Sequence, residues 1–132
     1  HQARVLLEGS QVTIATYGPM TAVALQAAEI AASEGISIEV IDLRSLSPID
    51  FDTIINSVKK TGRLIVASEA STFVSISSEI AARVAEKAFY HLEAPVLRVG
   101  GFDVPYPAAK LEEVFLPDAD RILEAVDRVL SY

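Results

Sequence analysis

The chain contains no cysteine in 132 residues. That absence removes disulfide cross-links, a thiolate nucleophile and thiolate metal sites together, and it is compatible with a reducing compartment. Basic residues are also scarce: 11 Lys and Arg stand against 18 Asp and Glu, for a formal charge of −7. Nucleic acid and anionic membrane both call for clustered Lys and Arg, so neither is expected as a partner, and a basic protein surface suits the chain better. No apolar run approaches the ~20 residues needed to cross a bilayer, and the N-terminus has no signal-peptide pattern. A soluble, cytoplasmic protein is the expectation. The chain opens on His1-Gln2 without an initiator Met, which makes a fragment of a longer polypeptide the expectation as well. It shows no internal repeat, low-complexity tract or linker.

Catalytic constellations are few. Of the two histidines, His1 is terminal and His91 precedes a strand among aromatic and aliphatic neighbours. Without a nearby acid or nucleophile, His91 reads as structural or surface, and a Ser-His-Asp triad has no support. Glu112, Glu113, Asp118 and Asp120 lack the oxygen-rich loop of a cation site and read as helix capping and a solvated face. Gly100-Gly101 has neither G-x-G-x-x-G spacing nor a following Lys-Ser/Thr, and is a turn.

What the chain has is core: 51% hydrophobic and 22% charged residues over this length predict one domain, residues 1–132. Arg4 to Leu7 and Gln11 to Thr16 are β-prone runs around Glu8-Gly9-Ser10, which predicts a tight hairpin with Gly9 at its special backbone position. Pro19 suits a first helical turn, and Val23, Ala27, Ile30 and Ala31 recur at helical spacing until Gly35. Ile36 to Leu43 reads as a buried strand. Asp50 and Asp52 open the next helix and Lys59 and Lys60 close it before Gly62, as the helix dipole favours.

Leu64 to Ala67 is the following strand, and Phe73, Ile76, Ile80, Val84 and Ala88 mark a long helix. Pro95 to Val99 returns to strand, and a last helix, capped by Asp118, places Ile122, Val126, Val129 and Leu130 on one stripe. Strands alternating with helices predict a three-layer α/β/α sandwich: a mostly parallel sheet covered on both faces, with an antiparallel edge strand. Ser68 to Ser75 then falls at the carboxyl end of a strand, where open α/β sheets bind ligands. The plainer reading is a polar loop with Ser71 or Thr72 capping; Glu69 is its one ionisable side chain, suited to pairing across a subunit contact.

The run Leu92-Glu93-Ala94-Pro95-Val96-Leu97-Arg98-Val99-Gly100-Gly101-Phe102-Asp103-Val104-Pro105-Tyr106-Pro107, followed by Leu116-Pro117-Asp118, resembles the end of the β subunit of thiamine-diphosphate-dependent 2-oxo acid dehydrogenases, the E1 component. Gly9 to Ile14, Thr16-Tyr17-Gly18-Pro19-Met20 and Glu39 to Asp50 are similar to the opening, second strand and turn of that subunit's C-terminal, transketolase-like domain. The likeness covers nearly the whole chain and is nearest to the branched-chain 2-oxo acid type. One departure stands out: Ser68-Glu69-Ala70 and Thr72-Phe73-Val74-Ser75 replace a His-Glu-Ala and Gly-Gly pattern common in branched-chain members.

The resemblance implies that thiamine diphosphate and Mg serve the whole enzyme between the α subunit and the β subunit's N-terminal domain, with none bound by this fragment. It implies no catalytic, cofactor or metal residue here. It implies instead an assembly role: pairing with a second β subunit, with Glu69, Phe73, Asp103 and Tyr106 at the subunit interface, and docking the subunit-binding domain of the acyltransferase (E2) through Glu93 and the C-terminal Tyr132. The same domain of a pyruvate dehydrogenase, of a transketolase or deoxyxylulose-phosphate synthase, or a free-standing interaction module are the alternatives.

Overall fold

Strand and helix runs alternate along the chain as β1 (Arg4–Leu7), β2 (Val12–Thr16), α1 (Met20–Ser33), β3 (Ile38–Asp42), α2 (Phe51–Thr61), β4 (Leu64–Ser71), α3 (Ile76–Lys87), a 3-10 turn (Phe89–His91), β5 (Leu97–Gly101) and α4 (Ala119–Leu130). The computed structural model describes residues 2–71, 75–101 and 119–132. Its five strands make one sheet in the order β1-β3-β2-β4-β5. β2 is buried at all five positions, as a central strand covered on both faces must be, and it runs parallel to β3 and to β4. β5 continues the parallel set beside β4.

The expected hairpin between β1 and β2 does not form. β1 pairs antiparallel with β3 (Arg4↔Asp42, Val5↔Ile41, Leu7↔Val40) and so provides the antiparallel edge by a non-local route. Gly9 is needed for close approach, not for a left-handed turn: a Cβ there would lie 2.2 Å from the Ile38 carbonyl carbon and 2.4 Å from the Glu39 nitrogen.

Alternation along each strand sends neighbours to opposite faces and builds two cores. On one face Val12, Ile14, Val40, Ile65 and Val99 meet the alanine stripe of α1 (Ala24, Ala27, Ala28, Ala31) and Ile122, Val126 and Val129 of α4. On the other, Ala15, Ile41, Leu64 and Val66 meet Ile54 and Val58 of α2 and Ile80 and Val84 of α3. The three-layer sandwich is therefore as expected. A polar seam crosses the second face, where the buried Thr13 hydroxyl bonds Ser57 Oγ (2.6 Å) and Thr61 Oγ1 (2.7 Å).

Three element ends differ from expectation. β5 runs from Leu97 to Gly101, so Gly100-Gly101, expected as a turn, closes the strand instead. β4 runs four residues past Ala67, to Ser71, which pairs with Gly101 after an irregularity. The cap of α3 is consequently neither Ser71 nor Thr72 but Ser75, in extended backbone, whose N–H reaches Ser78 Oγ at 3.5 Å. α2 has the expected ends: Asp50 Oδ1 accepts the Thr53 N–H at 3.1 Å, and Gly62 closes the helix at φ +75°. Thr72 and the expected cap of α4, Asp118, lie outside the described residues.

Candidate functional site

Among the described residues a tightly organised polar surface lies where β4 and β5 begin and α4 ends. Gly62 leaves α2 in the left-handed region with its N–H on Val58 O (2.7 Å), and this turn delivers Arg63 to the foot of β4. Arg63 is fixed by its own carbonyl, which accepts the Thr13 N–H at 2.8 Å. Its guanidinium then reaches two other segments. Nη1 donates to Glu93 Oε2 and Nε donates to the Val129 carbonyl, each at 3.1 Å. The second contact places a cation on an unsatisfied carbonyl in the last turn of α4, where the helix dipole favours it.

Glu93 is held from two further directions. Its N–H donates to Gly62 O at 2.8 Å. Its side chain folds across Gly62, so that a Cβ on that glycine would sit 2.6 Å from Oε2 and 3.0 Å from Cγ. The carboxylate nevertheless stays reachable, with the side chain 61% exposed. Tyr132, three residues beyond Val129, is 64% exposed. Chain neighbours of Glu93, namely Leu92, Ala94 and Pro95, help line an apolar groove of about 690 Å³ rimmed by Phe89 and Tyr90, themselves 65% and 95% exposed. An exposed carboxylate beside apolar surface can clamp a basic side chain by charge-assisted hydrogen bonds.

Chemistry is sparse elsewhere. Glu39, buried on β3, is committed to structure: its Oε1 accepts the Gly9 N–H at 3.1 Å and pairs with Lys60. Burial pushes its carboxyl up, but hydrogen bonds from Lys60, Ser57 and the Gly9 N–H, with the Lys60 charge, outweigh burial and hold it below the usual range. Among the described residues no group of three His, Cys, Asp or Glu side chains gathers to hold a metal ion. At the opposite end of the sheet the hydroxyls of Thr16, Thr21 and Ser68 are buried without partners.

The family model described as the transketolase C-terminal domain matches residues 1–122. The chain belongs to this family. Among curated proteins it is 62% identical over 132 residues to the pyruvate dehydrogenase E1 component subunit beta of Leifsonia xyli subsp. xyli, covering 100% of this chain and 39% of that protein. It is 50% identical over 129 residues to the 3-methyl-2-oxobutanoate dehydrogenase subunit beta of Mycobacterium tuberculosis, covering 97% and 37%. It thus spans about two fifths of the length of these relatives.

Among solved structures, a split-gene transketolase in an inactive β4 tetramer superposes with a TM-score of 0.85 at 37% identity, over 98% of this chain and 41% of that one. A 2-oxoglutarate:ferredoxin oxidoreductase from Magnetococcus marinus, at 13% identity and TM-score 0.66 over 98% of this chain and 20% of that one, shares the fold.

In this transketolase C-terminal domain the expected site residues that are described, Glu93, Tyr132 and Glu69, do not share one place on the sheet. Glu93 and the end of α4 that carries Tyr132 converge on one arginine. Glu69 stands half-buried near the carboxyl end of β4, with no bond to another described residue. The other expected interface residues, Phe73, Asp103 and Tyr106, lie outside the described residues. Sequence reasoning missed Arg63 altogether. Its one signal is position: the first residue after a helix-ending glycine, poised before a strand.

Proposed function

We propose that this chain is the C-terminal assembly domain of the β subunit of a thiamine-diphosphate-dependent 2-oxo acid dehydrogenase (E1), working in the cytoplasm. In that enzyme the cofactor and its Mg belong to the rest of the β subunit and to the α subunit. This domain pairs with a second β subunit, through Glu69, Phe73, Asp103 and Tyr106, and docks the E2 subunit-binding domain through Glu93 and Tyr132. What supports the docking role is the convergence of the Glu93 turn and the last turn of α4 on Arg63, beside a carboxylate whose side chain is 61% exposed. The acidic balance of 18 to 11 supports a small basic partner.

For the substrate, the branched-chain type expected from the motifs has the support of the 50% relative's name, and pyruvate that of the 62% relative's. We favour pyruvate on that difference. Docking is tested by the affinity of an assembled β dimer for the subunit-binding domain. Glu93→Ala, or removal of Tyr132, costs about 2–5 kcal/mol where the contact is desolvated, and the parent's binding weakens steeply with added salt. Two variants that both bind within about twofold of the parent put the docking surface elsewhere.

A further inference from the structure

We infer that Arg63 is the positioning residue of the docking surface: it holds Glu93 Oε2 and the final helix's Val129 carbonyl at the same time, leaving the second carboxylate oxygen of Glu93 open to a basic side chain of the partner. The inference rests on the docking reading above and adds a residue that reading does not contain.

Three observations carry it. One guanidinium bridges two segments 36 residues apart in the chain, each through a separate N–H at 3.1 Å. The contact uses Oε2 alone, and Oε1 makes no bond to another described residue while the side chain is 61% exposed. The backbone of the same turn is locked from both sides, with Arg63 O on the Thr13 N–H and Gly62 O on the Glu93 N–H, both at 2.8 Å. The carboxylate is thereby pre-organised, and an incoming cation meets an acceptor whose rotamer freedom is already spent. The arginine fork is what permits the bridge. A lysine ammonium at this position has a single nitrogen and cannot serve the carboxylate and the helix carbonyl with the same geometry.

Simple charge reasoning opposes this. A cation beside Glu93 lowers the local negative potential, so its removal would strengthen attraction for a basic partner. The two effects are separated by Arg63→Lys, which keeps the charge and loses the fork.

The experiment measures the affinity of the assembled, full-length β dimer for the E2 subunit-binding domain in four forms: parent, Arg63→Lys, Glu93→Gln, and the double variant. Arg63→Lys weakens binding about fivefold or more in the parent background and clearly less, about twofold at most, in the Glu93→Gln background, where only the helix contact is left to lose. Hydrogen exchange at the last turn of α4 rises in Arg63→Lys as the carbonyl contact is lost. Three results overturn the inference. Arg63→Lys binding within about twofold of the parent, while Glu93→Gln binds weakly, removes Arg63 and leaves the docking reading standing. Equal losses in both backgrounds make Arg63 a residue of the fold that does not act through Glu93. Glu93→Gln binding as the parent does removes the docking reading and this one with it.

Discussion

Gly9 and Gly35 show how one residue type answers two different demands. Gly35 stands at φ +82° with open space where a Cβ would go, so its glycine is a matter of backbone conformation alone. Gly9 has no positive φ, and what forbids a side chain there is the β3 backbone pressed against it. Gly35→Ala therefore costs the left-handed penalty of ~1–2 kcal/mol. Gly9→Ala meets backbone that cannot rotate away and costs about 3 kcal/mol or more, with the strain felt first in the β1–β3 pairing. Urea unfolding of the two variants decides the order, and equal losses would show that β3 yields. At this scale the sequence was only partly legible. Glu93 and Tyr132 could be singled out from motif resemblance, but a two-way contact by Arg63 depends on three segments meeting, which no local pattern encodes.

Among the elements, α2 shows the closest agreement between chain and structure, because its ends are written in short-range chemistry. Asp50 accepts the Thr53 N–H and hydroxyl, and its Oδ2 also takes the Ala3 N–H at 3.0 Å, which ties the entry to β1 onto the start of the helix. The Thr53 hydroxyl is the chief reason that the Asp50 carboxyl lies below its ordinary 3.8, the amides of Thr53 and Ala3 adding to it against the effect of burial. Glu39 is likewise depressed from 4.5. A carboxyl depressed in the folded state contributes stability above its unfolded value and loses it as pH falls through the folded one. The thermal midpoint is thus flat from about pH 8 to about pH 5 and declines below ~4.5. Asp50→Ala lowers the plateau by about 1–2 kcal/mol and makes the acid limb shallower. A variant whose acid limb parallels the parent's would assign the acid sensitivity to other carboxyls. β1 and β2 show the opposite case. Two β-prone runs around a glycine satisfy the local rule for a hairpin, yet β2 is claimed on both edges by parallel neighbours, and pairing preference across the sheet overrides the turn. The extension of β4 into Ser68 to Ser71 was hidden for a related reason, since polar residues join a strand when a neighbour such as Gly101 offers the partner.

For the whole molecule, layers and strand direction were legible because alternation and helical spacing are strong over every element, whereas activity was not, since the described residues hold little reactive chemistry. Under the proposed function the expected outcomes are that the isolated domain gives no saturable heat signal with thiamine diphosphate and Mg, and that the complete enzyme decarboxylates pyruvate in preference to 3-methyl-2-oxobutanoate. Calorimetry checks the first statement and turnover of both acids the second; saturable binding by the isolated domain would return the cofactor to this chain. The paired cores carry a consequence for how such a domain changes over generations. Ile65 and Val66 are consecutive in β4, yet one packs under α1 and α4 and the other under α2 and α3. A substitution at either is felt by a different set of side-chain neighbours, so their packing losses are separate, while any shift of the β4 backbone is felt on both faces. Each face can then drift and be repaired on its own, and the register of the sheet is the shared constraint that both must respect.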